Sequence, residues 1–356
     1  MKGLILAGGT GTRLRPLTYT ANKHLIPIAN KPILFYGIEA LRDAGIKDIG
    51  IVLGTNDPEA VKIAVEDGSK FGIRVTYIFQ GEPKGIAHAV YCAKDFIRED
   101  DFLLYLGDNM LKRGVKNLVE DFEKTKPDAS IYLCKVKNPE MFGLVELDES
   151  GKIRKLVEKP KHPKSDLALI GVYLFKPSIF KVIKTLKPSG RGELEITEAI
   201  DNLVKSKKNV KYRIVTGWWK DTGKPEDILE ANRLVLDDIK PTNKGKIDEE
   251  VNMHGRVFID KGTVIKEGST IKGPVTIGKN CEIGPNTYIG PYTSIGNNTT
   301  IRNSEIEDSI ILGDSNINCK KKIVGSLIGR HSIIKSYDKL PHGNRFIIGE
   351  NTTLEI

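Results

Sequence analysis

Leu4-Ile5-Leu6-Ala7-Gly8-Gly9-Thr10-Gly11-Thr12-Arg13-Leu14-Arg15-Pro16-Leu17-Thr18 stands at the start of the chain. The apolar run from Gly3 to Ala7 reads as a buried strand. It breaks into Gly8, Gly9 and Gly11, which let backbone N–H groups approach an anion with no Cβ in the way. That is the form of a phosphate-cradling loop at the end of a strand. Two known glycine loops do not fit it. Walker A needs Lys-Ser/Thr after its last glycine, and the dinucleotide fingerprint needs a third glycine where Leu14 stands. The chain after Thr12 is cationic instead: Arg13 and Arg15, then Lys23 within Asn22-Lys23-His24-Leu25-Ile26-Pro27. Such fixed charges suit a polyphosphate. On the glycines alone, a tight turn with surface arginines stays equally open.

Outward from this loop, residues 1 to about 125 alternate strand and helix. Strands are expected at Asp48 to Leu53, Ile73 to Phe79 and Asp101 to Leu106. Helices are expected from Lys31-Pro32 to a stop at Gly45, and near Pro58 to Asp67, Ile86 to Phe96 and Val115 to Lys124. This βαβα order implies a largely parallel sheet with ligands beyond the carboxyl ends of its strands. Residues 126 to 222 read as mixed strands and a helix near Leu194 to Ser206. A helix from Pro225 to Asp238 then leads into a Pro-, Gly- and Lys-containing linker over 239–250.

Beyond the linker the period changes. Ile259, Ile265, Ile271, Ile277, Ile283, Ile289, Ile295 and Ile301 recur at every sixth position, with thin residues such as Thr263, Ser269, Cys281 and Thr287 four places later. This hexapeptide repeat predicts a left-handed parallel β-helix over 251–336, each isoleucine pointing into a prism core, with an extension over 337–356. The register slips at Asn303 to Asp308 and resumes at Ile311.

Bulk properties bound the function. The 356 residues carry a net charge of +9, with 55 Lys and Arg spread among 46 acids. An anionic substrate explains this more simply than nucleic acid, which would need the charge gathered on one face. There is no apolar run long enough for a bilayer and no signal-peptide pattern. Four dispersed cysteines suit a reducing cytoplasm rather than a disulfide framework or zinc site.

Leu-Ala-Gly-Gly-Thr-Gly-Thr-Arg-Leu-x-Pro-Leu-Thr with Lys-x-Leu-x-Pro after it resembles the signature of the sugar-1-phosphate nucleotidylyltransferases. The resemblance covers residues 1–238. It implies a Rossmann-like α/β nucleotidyltransferase domain with a mixed, mainly parallel sheet. The activity implied is transfer of a nucleotidyl group from dTTP or UTP to a sugar 1-phosphate, glucose 1-phosphate foremost, releasing pyrophosphate. It also implies roles. Arg13 would stabilise charge on the pyrophosphate, and Lys23 would hold phosphate oxygens. Asp108, at the end of a Phe102–Tyr105 strand, and Asp221, in Trp218-Trp219-Lys220-Asp221-Thr222-Gly223, would bind Mg²⁺. Two carboxylates with phosphate and water oxygens make an octahedral site, although either aspartate alone could be a turn former. The nucleotide would lie against Gly8, Gly9, Gly11, Thr12, Gln80 and Gly85. The amide of Gln80 can both accept from and donate to a pyrimidine imide edge. On the sugar side the resemblance points to Gly143, Glu158, Lys159, Tyr173 and Arg191. His24, where short members of the family have Gln, departs from the pattern.

Two alternatives of another kind concern the tail. A β-helix can host acetyl transfer, with His331 or His342 as base, which would make the protein bifunctional. Or its flat faces are purely an assembly element that makes a homo-oligomer, with no nucleic-acid or membrane partner.

Overall fold

The computed structural model describes residues 1–336; the expected extension over 337–356 and His342 lie outside the described residues. The opening run forms β1 (Lys2–Ala7), joined in the same sheet by β2 (Asp48–Leu53), β3 (Arg74–Phe79) and β4 (Phe102–Leu106). These pair in parallel in the order β4-β1-β2-β3, with Leu4 facing both Gly50 and Leu104. A short strand, β5 (Asn109–Leu111), leaves β4 at its carboxyl end. Then come β6 (Ala129–Lys135), β7 (Gly143–Leu147), β8 (Ile153–Glu158), β9 (Leu167–Phe175), β10 (Val210–Ile214) and β11 (Trp219–Asp221). β9 joins β4 antiparallel and carries the mixed half of the sheet, so the complete order is β8-β7-β9-β4-β1-β2-β3 with β6 alongside β9 and β10 alongside β6. The near-continuous apolar runs of β1, β2, β4 and β9 have this cause: two separate hydrophobic clusters bury both faces of the sheet.

Helices form where apolar spacing gives a buried stripe. α1 (Ile33–Asp43) buries Ile33, Leu34, Ile38 and Leu41 and stops before Gly45, whose φ of 87° ends the helix. It starts past Lys31-Pro32, contrary to expectation. Ala29 and Asn30, both with positive φ, fold Lys31–Pro32 back onto Pro27–Ile28 as a hairpin, so the proline is spent on that pairing. α2 (Pro58–Val65) is capped by Asp57, whose side chain accepts from Ala60 N. The helix expected from Ile86 to Phe96 is broken into α3 (Ile86–Cys92) and α4 (Lys94–Ile97) at Ala93. α5 (Lys116–Thr125), α6 (Ile179–Ile183), α7 (Ile196–Lys205) and α8 (Pro225–Leu236) complete the set. Among the described residues no helix is long and apolar enough to cross a membrane.

The chain divides into two compact units that do not respect its linear order. One comprises residues 1–10, 22–25 and 33–221; the other comprises 11–21, 26–32 and the chain from Thr222 onward. The second unit therefore contains Arg13, the turn of the hairpin before α1, α8 and the tail together. In the tail, Ile259 faces Ile277 and Ile277 faces Ile295, eighteen residues on each time, so three hexapeptides make one coil. Three stacks of parallel strands result, consistent with a left-handed β-helix, and every repeat isoleucine from Ile259 to Ile301 is fully buried. Thr263, Ser269, Cys281, Thr287, Thr293 and Thr299 are buried at the thin positions. At the corners the backbone repeatedly takes positive φ, at Gly262, Gly268, Asn280, Asn286, Tyr292 and Asn298, where glycine and asparagine are least strained. Thr242–Asn243 and Lys246–Ile247 already pair in these stacks, so the first coil begins inside the stretch read as a linker.

Candidate active site

In the first unit, the carboxyl ends of β1 and β4 converge on Lys23. Its side chain passes over Gly9, where a Cβ would lie 2.6 Å from Lys23 Cε, and its ammonium forms a short ion pair with Asp108 Oδ2. The glycine is thus required by a lysine crossing it. Burial pushes the Asp108 carboxyl up, but the Lys23 ammonium, then His24, and hydrogen bonds from Lys23 and Asn109 hold it well below the usual carboxylate range. Asn109, buried beside it, has no role in the sequence reading. It donates from Nδ2 to Asp108 Oδ1 at 3.0 Å, while its Oδ1 accepts from Gly171 N (3.1 Å) and Trp219 Nε1 (2.6 Å). β5 and β11 pair antiparallel with Asp221 directly opposite Asn109, which brings the second aspartate's strand position to within one residue of Asp108.

His24 is buried next to this pair. Asn22 Nδ2 donates to Asn56 O at 2.8 Å, which fixes the amide so that its Oδ1 accepts from His24 N (3.0 Å) and from the ring Nδ1 (2.9 Å). The ring therefore carries a proton on Nδ1. Burial first, then the Lys23 charge, lowers its pKa to about 3 against a partly opposing Asp108. A histidine depressed in the folded state takes its proton first in the unfolded chain. Its contribution to stability is complete above about pH 6.5 and is lost as pH falls toward 3, at up to about 1.4 kcal/mol per pH unit. We expect His24→Gln to flatten that acid limb in urea titrations between pH 4 and 7; an unchanged slope would mean that the ring is not buried neutral.

A second cluster gathers the residues expected on the sugar side. Glu158, ending β8, accepts from Thr197 Oγ1 at 2.6 Å and pairs with Arg191 at 3.2 Å; Lys159 Nζ lies 3.9 Å away. Arg191 is itself held by the buried Glu195 at 2.8 Å and 2.9 Å. A Cβ on Gly143 would come within 2.6 Å of Thr197 Oγ1 and 2.9 Å of Glu158 Oε2, so this glycine admits the carboxylate to the edge of β7. Tyr173 stacks on Phe175 within the core, and burial, then the Glu158 and Asp108 charges, raise its phenol. Thr197 and Glu195 are neighbours of this cluster to which the sequence reading gave no role of their own.

The third cluster surrounds Gln80. Its Oε1 faces Gly8, where a Cβ would lie 3.2 Å away. The loop to Ile86 is zipped to the Arg191 segment by Ala87 N to Leu194 O (3.0 Å) and Leu194 N to Lys84 O (2.9 Å); Gly85, at φ 96°, packs against Leu194 with no room for a Cβ.

In the second unit, Gly11 at φ 66° precedes a short turn at Thr12–Leu14, and Thr18 Oγ1 donates to Gly11 O at 2.7 Å. The Arg13 guanidinium lies against Gly223, whose added Cβ would meet it at 2.6 Å. His331 is exposed at a β-helix corner with φ 59°.

Residues 2–238 match the model of the nucleotidyl transferase family, and residues 271–355 match that of the GMPPB C-terminal domain. The chain is 48% identical to the low-salt glycan biosynthesis nucleotidyltransferase Agl11 of Haloferax volcanii, over 100% of both chains. It is 47% identical to a glucose-1-phosphate thymidylyltransferase of Streptomyces griseus, over 100% of this chain and 99% of that one. Among solved structures, UDP-glucose pyrophosphorylase complexed with UDP-glucose superposes with a TM-score of 0.59 at 28% identity, covering 66% of this chain and 98% of the other.

Proposed function

The chain belongs to the nucleotidyl transferase family, and from that membership we propose that it transfers a thymidylyl group from dTTP to glucose 1-phosphate, giving dTDP-glucose and pyrophosphate. Full-length similarity to a glucose-1-phosphate thymidylyltransferase supports the substrate pair. The observation that carries the chemistry is the Lys23–Asp108 ion pair beside Gly9, with Asp221 on the facing strand.

An oxygen of the sugar phosphate forms a bond to the α-phosphorus as the bond to pyrophosphate breaks. Both reactants are anions, so the protein's work is neutralisation and in-line positioning. Arg13 meets the charge that grows on the leaving pyrophosphate. Lys23 exchanges its carboxylate partner for phosphate oxygens. Glu158, steadied by Thr197 and Arg191, accepts from a sugar hydroxyl, and Lys159 and Arg191 offset the sugar phosphate. Tyr173 backs that cluster from the core.

Asp108 and Asp221 would hold Mg²⁺. The donor set fits: both offer hard oxygens, and Asp108 already accepts a cation in the form of the Lys23 ammonium. Two carboxylates leave the rest of an octahedral shell to phosphate and water oxygens. When bound, magnesium supplies charge neutralisation between the two phosphates.

The free thiols Cys92, Cys134, Cys281 and Cys319 and the charged substrates suit the cytoplasm, and the flat β-helix faces suit self-association into a homo-oligomer. The test is a pyrophosphate-release panel that crosses dTTP, UTP, dCTP and GTP with glucose, galactose and glucosamine 1-phosphates. We expect dTTP with glucose 1-phosphate to give the highest kcat/KM. A preference for UTP or for an amino sugar would reassign the substrates, and no release with any pair would overturn the reading.

A further inference from the structure

The amide of Gln80 is more constrained than its residue type implies. Its Nε2 lies 3.3 Å from Gly85 O and 3.2 Å from His88 Nδ1. A carbonyl oxygen only accepts, so the amide nitrogen must be the end that faces Gly85, and its two hydrogens are directed to Gly85 O and to His88. His88 Nδ1 must then be the unprotonated nitrogen. The remaining ring proton is on Nε2, 3.8 Å from Cys92 Sγ one helical turn along α3. Burial, then the Lys84 charge, lowers the His88 pKa, in keeping with a neutral ring. With both N–H groups engaged inside the protein, only Oε1, on the Gly8 side, is offered to a ligand.

We propose that His88 is a positioning residue that locks Gln80 as a hydrogen-bond acceptor and so restricts the site to nucleobases with a ring N–H on their pairing edge. This rests on the nucleotide site proposed above and changes the sequence expectation for Gln80, which gave the amide both roles. Thymine and uracil carry that N–H at N3. Cytosine presents a bare nitrogen there, which would face the Gln80 oxygen lone pairs and leave both unpaired. Without the histidine the amide is held only by Gly85 O. That single contact still favours the nitrogen facing Gly85 but fixes it less firmly, so the flipped amide gains population and discrimination between the two pyrimidine types weakens.

The experiment compares kcat and KM for dTTP and dCTP, with glucose 1-phosphate saturating, in the full-length wild type, His88→Leu and His88→Asn. The leucine removes the acceptor while keeping bulk; the asparagine can place its Oδ1 near the Nδ1 position. We expect His88→Leu to raise KM for dTTP about fivefold to tenfold with kcat within about twofold, and to reduce the dTTP/dCTP ratio of kcat/KM about tenfold. His88→Asn should recover most of both. His88→Ala carries the same expectation as leucine should leucine not be accommodated in α3. Unchanged dTTP/dCTP discrimination in the leucine and alanine variants would overturn the inference, as would a fall in kcat and thermal stability with discrimination intact. In either event a wild type active on dTTP would leave the nucleotide site standing, whereas a wild type inactive on dTTP would remove both.

Discussion

Asp108→Asn is expected to lower kcat by about 10²- to 10³-fold while the protein stays folded, which circular dichroism and a denaturation midpoint would verify. The asparagine keeps the shape of the side chain and its Oδ1 can still accept from Asn109 Nδ2, so β5 stays in place. What is lost is the negative charge that receives the Lys23 ammonium and, in the proposed reaction, the metal. Asp221→Asn should fall comparably, because its strand position opposite Asn109 sets it next to the same carboxylate. The magnesium dependence separates charge from shape: the concentration giving half-maximal rate should rise in both variants, and Lys23→Met should lower kcat without moving it. Full activity in either aspartate variant would remove that residue from the site. The pH profile offers a second check. The Asp108 carboxyl is held below the usual carboxylate range. The stability it contributes is present above the unfolded value and is lost as pH falls from there through the lower folded value, and an acid limb of kcat/KM between pH 5 and 6, which reports the free enzyme, cannot be assigned to it.

The frame of this site is readable in the sequence because its strongest signals are local. A strand that ends in Gly8-Gly9 and a strand that ends in Gly107-Asp108 are legible from apolar runs and their breaks, and parallel order places both ends on one edge. The isoleucine period is enough to indicate the β-helix, and its slip after Ile301 corresponds to coils that shorten from eighteen residues to sixteen or seventeen. No local signal carries the partnership between distant polar groups. Asn109 is held by Trp219 and Gly171, Glu158 by Thr197, and Gln80 by His88, and only the folded chain brings each set together. Sequence also missed the hairpin at Pro27–Pro32, because a proline before an amphipathic run ordinarily marks a helix start. Here both Ala29 and Asn30 adopt left-handed backbone, which asparagine accepts readily but which a propensity argument would not assign to alanine.

That hairpin underlies the second large effect. Asn232, buried in α8, accepts at Oδ1 from Ala29 N (2.9 Å) and from Ser294 Oγ (2.7 Å), and donates from Nδ2 to Tyr292 O (2.9 Å). One amide thus joins the hairpin, the helix and a β-helix coil within the second unit. Replacement by leucine, of nearly the same bulk, leaves three polar groups unpaired, each at about 1–3 kcal/mol; a loss of about 3–5 kcal/mol of stability is expected, since some relax toward water. Arg233, next in the helix, donates from Nε to Asp308 Oδ1 at 2.6 Å, and Asn30 Nδ2 donates to Ile295 O at 2.8 Å. Leu17 packs closely enough on Gly329 that an added Cβ would lie 3.3 Å from it. The loop bearing Arg13 is therefore built into the same unit as the tail. A chain cut after Ile239 would strip partners from Leu17, Asn30, Asn232 and Arg233 at once. Were the tail only an assembly element, that truncated chain would keep its activity as separated subunits. We expect instead that kcat/KM falls at least about tenfold, whatever the sedimentation shows, and that Asn232→Leu reproduces part of the loss in an otherwise intact chain. Urea midpoints and pyrophosphate-release rates on the same samples distinguish the two outcomes, because an assembly defect alone would lower neither in the dilute enzyme.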